Sequence, residues 1–122
     1  MSGENSIAFS MPGGETDKSG VDRPIDLAHL SRQTMGDRML EQEVLALFLQ
    51  QAGTVSRTLA GAAVQERLMM AHGLKGSARG VGAFAIADCA TAIERDPEDA
   101  AAWERLAGLV EAASDFVAAI GR

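Results

Sequence analysis

The stretch AHGLKGSA, at residues 71–78, lies where apolar residues recur every three or four positions. This recurrence decides which side of the segment packs against the rest of the chain. At about 100° per residue, Met70, Leu74 and Val81, together with Ala71 and Ala78, fall within one arc of roughly 100°. This arc predicts the side of an amphipathic helix that faces a core. His72 points roughly 150° from the middle of the arc, so we expect a solvent-facing imidazole.

The outer half of this helix has an unusual composition. Two glycines inside a helix cost about 2 kcal/mol together, and Gly73 and Gly76 both stand beside the histidine. A locally unfavourable choice is expected where function overrides stability. Lys75 offers a positive charge, which favours an anion over a metal ion at this site. The same half is expected to carry Gln65, Leu68, Met69 and Arg79, of which the two apolar residues suggest a docking surface.

Composition limits the possible functions. The chain has 122 residues, few aromatic residues and abundant alanine, which favours one helical domain. A net charge of −6 disfavours nucleic acid and anionic membranes as partners. No apolar run approaches the roughly 20 residues of a membrane span, and the start lacks a signal-peptide pattern, so we expect a cytoplasmic protein. Cys89 lies in an apolar pattern and is expected to be a small core residue.

Composition and the residues that begin or end helices divide the chain into a tail and a helical domain. Residues 1–23 are polar and glycine-rich, and we expect a flexible tail there, followed by a bundle over 24–122. A short leading helix should end at Gly36, with Asp37 capping a long helix from Arg38 that continues through Gly53. The helix that carries His72 should end near residues 79–82, where Gly80 and Gly82 supply left-handed conformations.

Two further helices are expected, over 83–95 and 98–120, separated by a turn at 96–99. Four substantial helices with short links predict an all-α fold, an antiparallel up-down-up-down four-helix bundle with a short leading N-terminal helix. The expected core includes Leu40, Val44, Leu47, Phe48, Val55, Leu59, Phe84, Ile86, Cys89, Ala90, Ile93, Trp103, Leu106, Leu109, Val110, Phe116, Val117 and Ile120. Ile25, Leu27, Leu30 and Met35 define the leading helix.

The motif Ala-His-x-Leu-Lys-Gly-Ser-Ala, with Gly82 ten residues after the histidine, resembles the signature of histidine phosphotransfer (HPt) domains of phosphorelays. The resemblance is sharpest over residues 71–82 and extends, as a pattern of helices, over about 25–120. It implies that His72 is phosphorylated, that Lys75 interacts with the phosphoryl group and that Gly76 provides clearance. The same resemblance suggests that Glu94 hydrogen-bonds to the imidazole and that Ser77 serves helix packing.

The resemblance also implies a function. The protein would shuttle a phosphoryl group between aspartates of response-regulator receiver domains, with these domains or a hybrid histidine kinase as partners. It would be a phosphohistidine carrier rather than a self-sufficient kinase, without a cofactor of its own, and the partner receiver would supply magnesium. The partner-binding residues would be Gln65, Leu68, Met69, Gly73 and Arg79. A stand-alone monomer is expected.

Two other functions remain open at this point. A helical adaptor or kinase inhibitor would use the face of Leu68, Met69 and His72 for docking alone. A dimerising phosphoacceptor domain of a histidine kinase would need a two-fold bundle and a catalytic domain after it. His29, the other histidine, has no ligand spacing and is expected to be a surface residue.

Overall fold

A computed structural model describes residues 23–121, and within this range the chain is helical, without strands. The predicted tail at 1–23 therefore lies outside the described residues, apart from Arg23. The helices are α1 (Leu27–Gln33), α2 (Arg38–Thr58), α3 (Val64–Val81), α4 (Phe84–Arg95) and α5 (Ala100–Ile120), with a 3-10 turn at Leu59–Gly61 between α2 and α3. No helix in this range is long and apolar enough to cross a membrane.

Aspartates begin three of the helices. The Asp26 side chain accepts a hydrogen bond from the backbone N–H of His29 at 3.1 Å, and Asp37 caps α2 in the same way. Asp99 caps α5, which consequently begins at Ala100 rather than at the predicted residue 98. Each carboxylate satisfies a backbone N–H that has no partner inside its helix.

The four long helices surround one core. Helix α2 packs against α3 and α5, α4 packs against α3 and α5, and α1 lies against α3. This arrangement confirms an all-helical bundle, while the up-down-up-down path stays a prediction. The largest side chains that are almost fully buried are Ile25, Leu30, Leu59, Leu74, Ile86, Ile93 and Leu106.

Some residues predicted for the core are exposed. Leu40 and Leu47 are exposed on α2, whereas Phe48, Val55 and Leu59 are buried as predicted. The buried stripe of α2 shares Phe48 and Val55 with the predicted one and is rotated toward Leu45 and Ala52, which meet the neighbouring helices. Phe84 and Ile120 are also partly exposed, and Met35 is 91% exposed.

Gly82 forms the turn between α3 and α4. Its φ of 87° is left-handed, and its carbonyl accepts a hydrogen bond from the Asp26 N–H at 2.9 Å. A Cβ on Gly82 would lie 2.8 Å from the Asp26 carbonyl oxygen, so both backbone conformation and close packing require glycine. The expectation for Gly80 is wrong, because Gly80 lies inside α3 and has no positive φ.

Arg67 ties the start of α3 to the preceding turn. Its Nε donates to the Leu59 carbonyl at 2.8 Å and its Nη2 donates to the Ala60 carbonyl at 3.0 Å. The guanidinium carbon also lies 4.3 Å from the centre of the Trp103 ring on α5, a cation–π distance. One side chain therefore links three segments at this end of the bundle.

His29 and Cys89 are both packed into the structure. The His29 ring meets Phe84 edge-on with centroids 5.2 Å apart, and its Nε2 is buried, so the surface assignment is wrong. Phe84 is 41% exposed and packs against His29 of α1, so it does not fill the bundle core as predicted. Cys89 is buried as predicted, and burial raises the pKa of its thiol, which disfavours the reactive thiolate.

Candidate functional site

The site is centred on His72, halfway along α3. Ala71, Leu74 and Ala78 fix the orientation of this helix because they are buried against the rest of the bundle. The His72 side chain projects from the opposite side and is 74% exposed. Packing of small residues and one leucine thus presents the imidazole to solvent on a rigid helix.

Glu94, in the last turn of α4, reaches this imidazole. Its Oε2 lies 3.0 Å from Nδ1 of His72, and its Oε1 lies 2.6 Å from Nζ of Lys75. The turn at Gly82 brings the two helices alongside each other, so residues 22 positions apart in sequence meet. One carboxylate therefore bridges the histidine and the lysine.

The bridge keeps Glu94 ionised. The hydrogen bond from Lys75 is the largest cause that lowers the Glu94 pKa below its ordinary value, and the hydrogen bond with His72 acts in the same direction. An ionised carboxylate only accepts hydrogen bonds, so Nδ1 of a neutral His72 must carry the hydrogen. Nε2 then carries the lone pair, which makes it the nucleophilic atom of the ring.

Glycines leave the surface beside His72 bare. Apart from its chain neighbours and the backbone of α3 itself, a Cβ on Gly76 would meet no described atom within 4 Å, and one on Gly73 would meet the Gln51 amide at 3.9 Å. Neither glycine is required by the packing of the chain, and each lowers the helix propensity of α3. Their cost is therefore not explained by the fold itself.

The other predicted site residues occupy different parts of α3. Gln65, Met69 and Arg79 are exposed, whereas Leu68 and Ser77 are half-buried. Among the predicted residues, the structure joins His72, Lys75 and Glu94 by direct polar contacts. The ammonium of Lys75 is engaged with Glu94 in this state.

Helix α2 adds residues that the sequence reading did not place at the site. Leu47 is 66% exposed, and it lines a groove together with Gln51, Met69 and Gly73. Sequence spacing assigned Leu47 to the core, and Gln51 carries no motif, so only the packing of α2 on α3 reveals their position.

Residues 23–121 contain no group of three or more His, Cys, Asp or Glu side chains placed to hold a metal ion. The polar contacts at His72 instead come from one carboxylate and one ammonium group. Their combination suits hydrogen bonding and charge compensation around the ring.

Comparison with protein families gives one match. Residues 43–119 match the family model of the Hpt domain, a range that contains His72, Lys75 and Glu94 and reaches from α2 nearly to the end of α5. Comparisons with curated proteins and with solved structures gave no significant match.

Proposed function

The chain belongs to the Hpt domain family, whose domains serve histidine phosphotransfer in two-component signalling, and we propose that it does so through His72. In this proposal the chain accepts a phosphoryl group from an aspartate of one receiver domain and passes it to an aspartate of another. It is a carrier of the phosphoryl group and does not itself use a nucleotide.

The observation that carries this proposal is the carboxylate bridge at an exposed imidazole. Glu94 holds the Nδ1–H of His72, so the ring keeps one orientation and Nε2 faces the incoming partner with its lone pair. A histidine held only by its own side-chain torsions would sample several orientations. Positioning the nucleophile in advance lowers the barrier to transfer.

The reaction is a displacement at phosphorus. The Nε2 lone pair forms a bond to the phosphorus of the aspartyl phosphate, and the bond from phosphorus to the aspartate oxygen breaks with its electrons staying on the carboxylate. Because Nδ1 keeps its proton, the ring becomes positively charged. Glu94 stabilises that charge, and the same steps in reverse deliver the phosphoryl group to the next receiver.

Lys75 and Gly76 have complementary roles in this scheme. The ammonium of Lys75, one turn from His72, separates from Glu94 and then compensates the charge of the phosphoryl group. Gly76 leaves room for the partner's active site to close over the ring. Gln65, Leu68, Met69, Gly73 and Arg79 belong to the surface that the partner contacts.

The partners in this proposal are receiver domains, alone or within a hybrid histidine kinase. Magnesium belongs to the receiver, where it organises the aspartyl phosphate, and the carrier contributes no metal ligand. We place the protein in the cytoplasm as a monomer, consistent with a site that lies within one copy of the chain.

The deciding experiment is transfer from a panel of radiolabelled phospho-receivers to the wild-type chain and to His72→Gln. Glutamine keeps a polar side chain of similar length but has no nucleophilic ring nitrogen. We expect rapid label that is stable to alkali and labile to acid on the wild type alone. Label that persists on a folded His72→Gln chain would reject His72 as the acceptor.

A further inference from the structure

A groove runs where α1, the first half of α2 and the last turn of α5 meet, and we call it the three-helix groove. Its volume is about 500 Å³, enough for several side chains. All three helices contribute apolar lining, with Leu27 on α1, Leu49 on α2, and Val117 and Ile120 on α5. Leu27, Leu49 and Val117 are only partly buried, and Ile120 is 43% exposed, so the groove leaves apolar surface uncovered.

The three-helix groove lies on the side of α2 that faces away from His72. Its α2 lining lies between Arg38 and Leu49, whereas the groove beside Gly73 uses residues between Leu47 and Val55, and the two grooves share none. At about 100° per residue, the centres of the two sets are roughly 180° apart around the helix axis. A segment bound in the three-helix groove therefore leaves the imidazole accessible.

The chain itself contains an apolar segment close to this groove. Residues 1–22 precede the described part of the chain and are mostly polar, but residues 7–11 read IAFSM. Large apolar residues stand at every second position, Ile7, Phe9 and Met11, with small residues between them. Successive side chains of an extended chain point to opposite sides, so this pattern is typical of an extended segment with one apolar side.

The length of the segment matches the groove, and the connection can reach it. Along α2 the groove extends over eleven residues from Arg38 to Leu49, about 16 Å at the helical rise, and five extended residues occupy about 16 Å. The described chain begins at Arg23, four residues before Leu27 on the groove. The stretch from Met11 to Arg23 can span up to about 40 Å. A tether this short keeps the effective concentration of the segment near the mM range.

We propose that residues 7–11 of this chain lie extended in the three-helix groove, with Ile7, Phe9 and Met11 directed into it. Burial removes apolar surface of both the segment and the groove from water, and this gain offsets the cost of ordering a short tether. The bound segment connects the last turn of α5 to α1 and α2 and so stabilises the bundle. The proposal is independent of phosphoryl transfer, because the groove faces away from His72.

Nuclear Overhauser contacts in the full chain, with labelled methyl groups, test the proposal directly. We expect contacts from the Phe9 ring and the Ile7 methyl groups to the methyl groups of Leu49 and Val117. A sample that mixes labelled and unlabelled chains separates contacts within one chain from contacts between chains. Contacts found only between chains would overturn the proposal in favour of a second copy. Absence of contacts from residues 7–11 to the groove would also overturn it.

Phe9→Asp and Ser10→Asp are a matched pair in the segment. They add the same charge at neighbouring positions, which face opposite sides of an extended chain. We expect Phe9→Asp to abolish the contacts of Ile7 with the groove and to lower Tm by about 3 °C or more, whereas Ser10→Asp keeps both near the wild-type values. Equal Tm values for the two variants would contradict the proposal.

Ala46→Glu tests the groove side without disturbing the core. Ala46 is an exposed residue inside α2 that lines the groove, so glutamate there puts a carboxylate where the segment binds. Ala112→Glu is the control, because Ala112 is also exposed inside a helix, α5, and does not line the groove. We expect Ala46→Glu alone to abolish the Ile7 contacts, and the double variant with Phe9→Asp to lower Tm no further than either single variant. Additive losses of Tm, or Ile7 contacts that survive Ala46→Glu, would overturn the proposal.

Discussion

Gly76→Ala should stabilise the protein while it impairs phosphoryl transfer. A Cβ at this position meets no described atom within 4 Å, and the residue lies inside α3, where alanine is favoured over glycine. We therefore expect the free energy of unfolding to rise by about 0.5–1 kcal/mol. For a domain of this size that gain corresponds to about 2–5 °C in Tm.

The same methyl group should obstruct the partner. Residues four apart on a helix have Cβ atoms about 5–6 Å apart, so the added carbon stands beside the His72 ring. Because small displacements of reacting groups can cost about 100-fold in rate, we expect transfer from a phospho-receiver to fall about 10–100-fold. Thermal unfolding followed by circular dichroism and transfer of radiolabel measure the two effects on one preparation.

Gly108→Ala is the matched control. Gly108 also lies inside a helix, α5, and its Cβ would likewise meet no described atom within 4 Å. We expect a similar gain in Tm with unchanged transfer. If Gly76→Ala is stabilised and transfers at the wild-type rate, glycine is not retained for access and the reasoning fails. A loss of stability in Gly76→Ala would contradict the packing argument.

Three further predictions concern stability. Gly82→Ala should destabilise by about 2–4 kcal/mol, because alanine resists a left-handed φ and its Cβ meets the Asp26 carbonyl; an unchanged midpoint in urea would refute this. Glu94→Gln should lower the free energy of unfolding at neutral pH. Because the pKa of Glu94 is lowered in the folded state, the difference in free energy of unfolding between wild type and variant should shrink as the pH falls below the ordinary value of 4.5. A pH-independent difference would contradict the ion pair. Arg67→Met should cost about 1–2 kcal/mol through two lost hydrogen bonds and should alter Trp103 fluorescence, whereas unchanged emission would contradict their contact.

Local signals in the sequence predict the ends of the helices well. Asp26 and Asp37 cap helices through their own neighbours, and Gly82 stops α3 by its conformation, so no tertiary information is needed. Gly53 does not end α2, as predicted, because one glycine in a helix costs only about 1 kcal/mol. Boundaries set by side-chain caps and single backbone conformations are therefore readable from sequence.

The buried side of α2 is only partly predictable from the sequence. Phe48 and Val55 are buried as predicted, but Leu40 and Leu47 obey the same helical spacing and are exposed, whereas Leu45 is buried. Contact with α3 and α5 selects the side that carries Leu45 and Ala52, and a small alanine gives little signal in the sequence. The exposed Leu47 lines the groove between α2 and α3 that also contains Gln51 and Met69.

The resemblance suggests Glu94 as a partner of the imidazole, but nothing in the sequence near Glu94 indicates its second contact, the ion pair with Lys75. The distance from Lys75 depends on how α4 lies along α3, which is fixed by packing across the Gly82 turn. Spacing along one helix places His72 and Lys75 on neighbouring turns. A carboxylate that bridges them requires the relative position of two helices.

The contacts of Glu94 with His72 and Lys75 also allow the site to take up the charge of a phosphoryl group while each charged side chain keeps a partner. Before transfer, the Glu94 carboxylate is balanced by the Lys75 ammonium. In the proposed reaction the imidazole becomes cationic because Nδ1 keeps its proton, and this cation can replace the ammonium as the counter-charge of Glu94. Lys75 is then free to turn to the phosphoryl group. The exchange moves one flexible side chain, whose ammonium keeps an anionic partner throughout, and reverse transfer restores the original pairing. A lysine without Glu94 would lack this alternative partner, and a glutamine at 94 would hold the ring without compensating its charge.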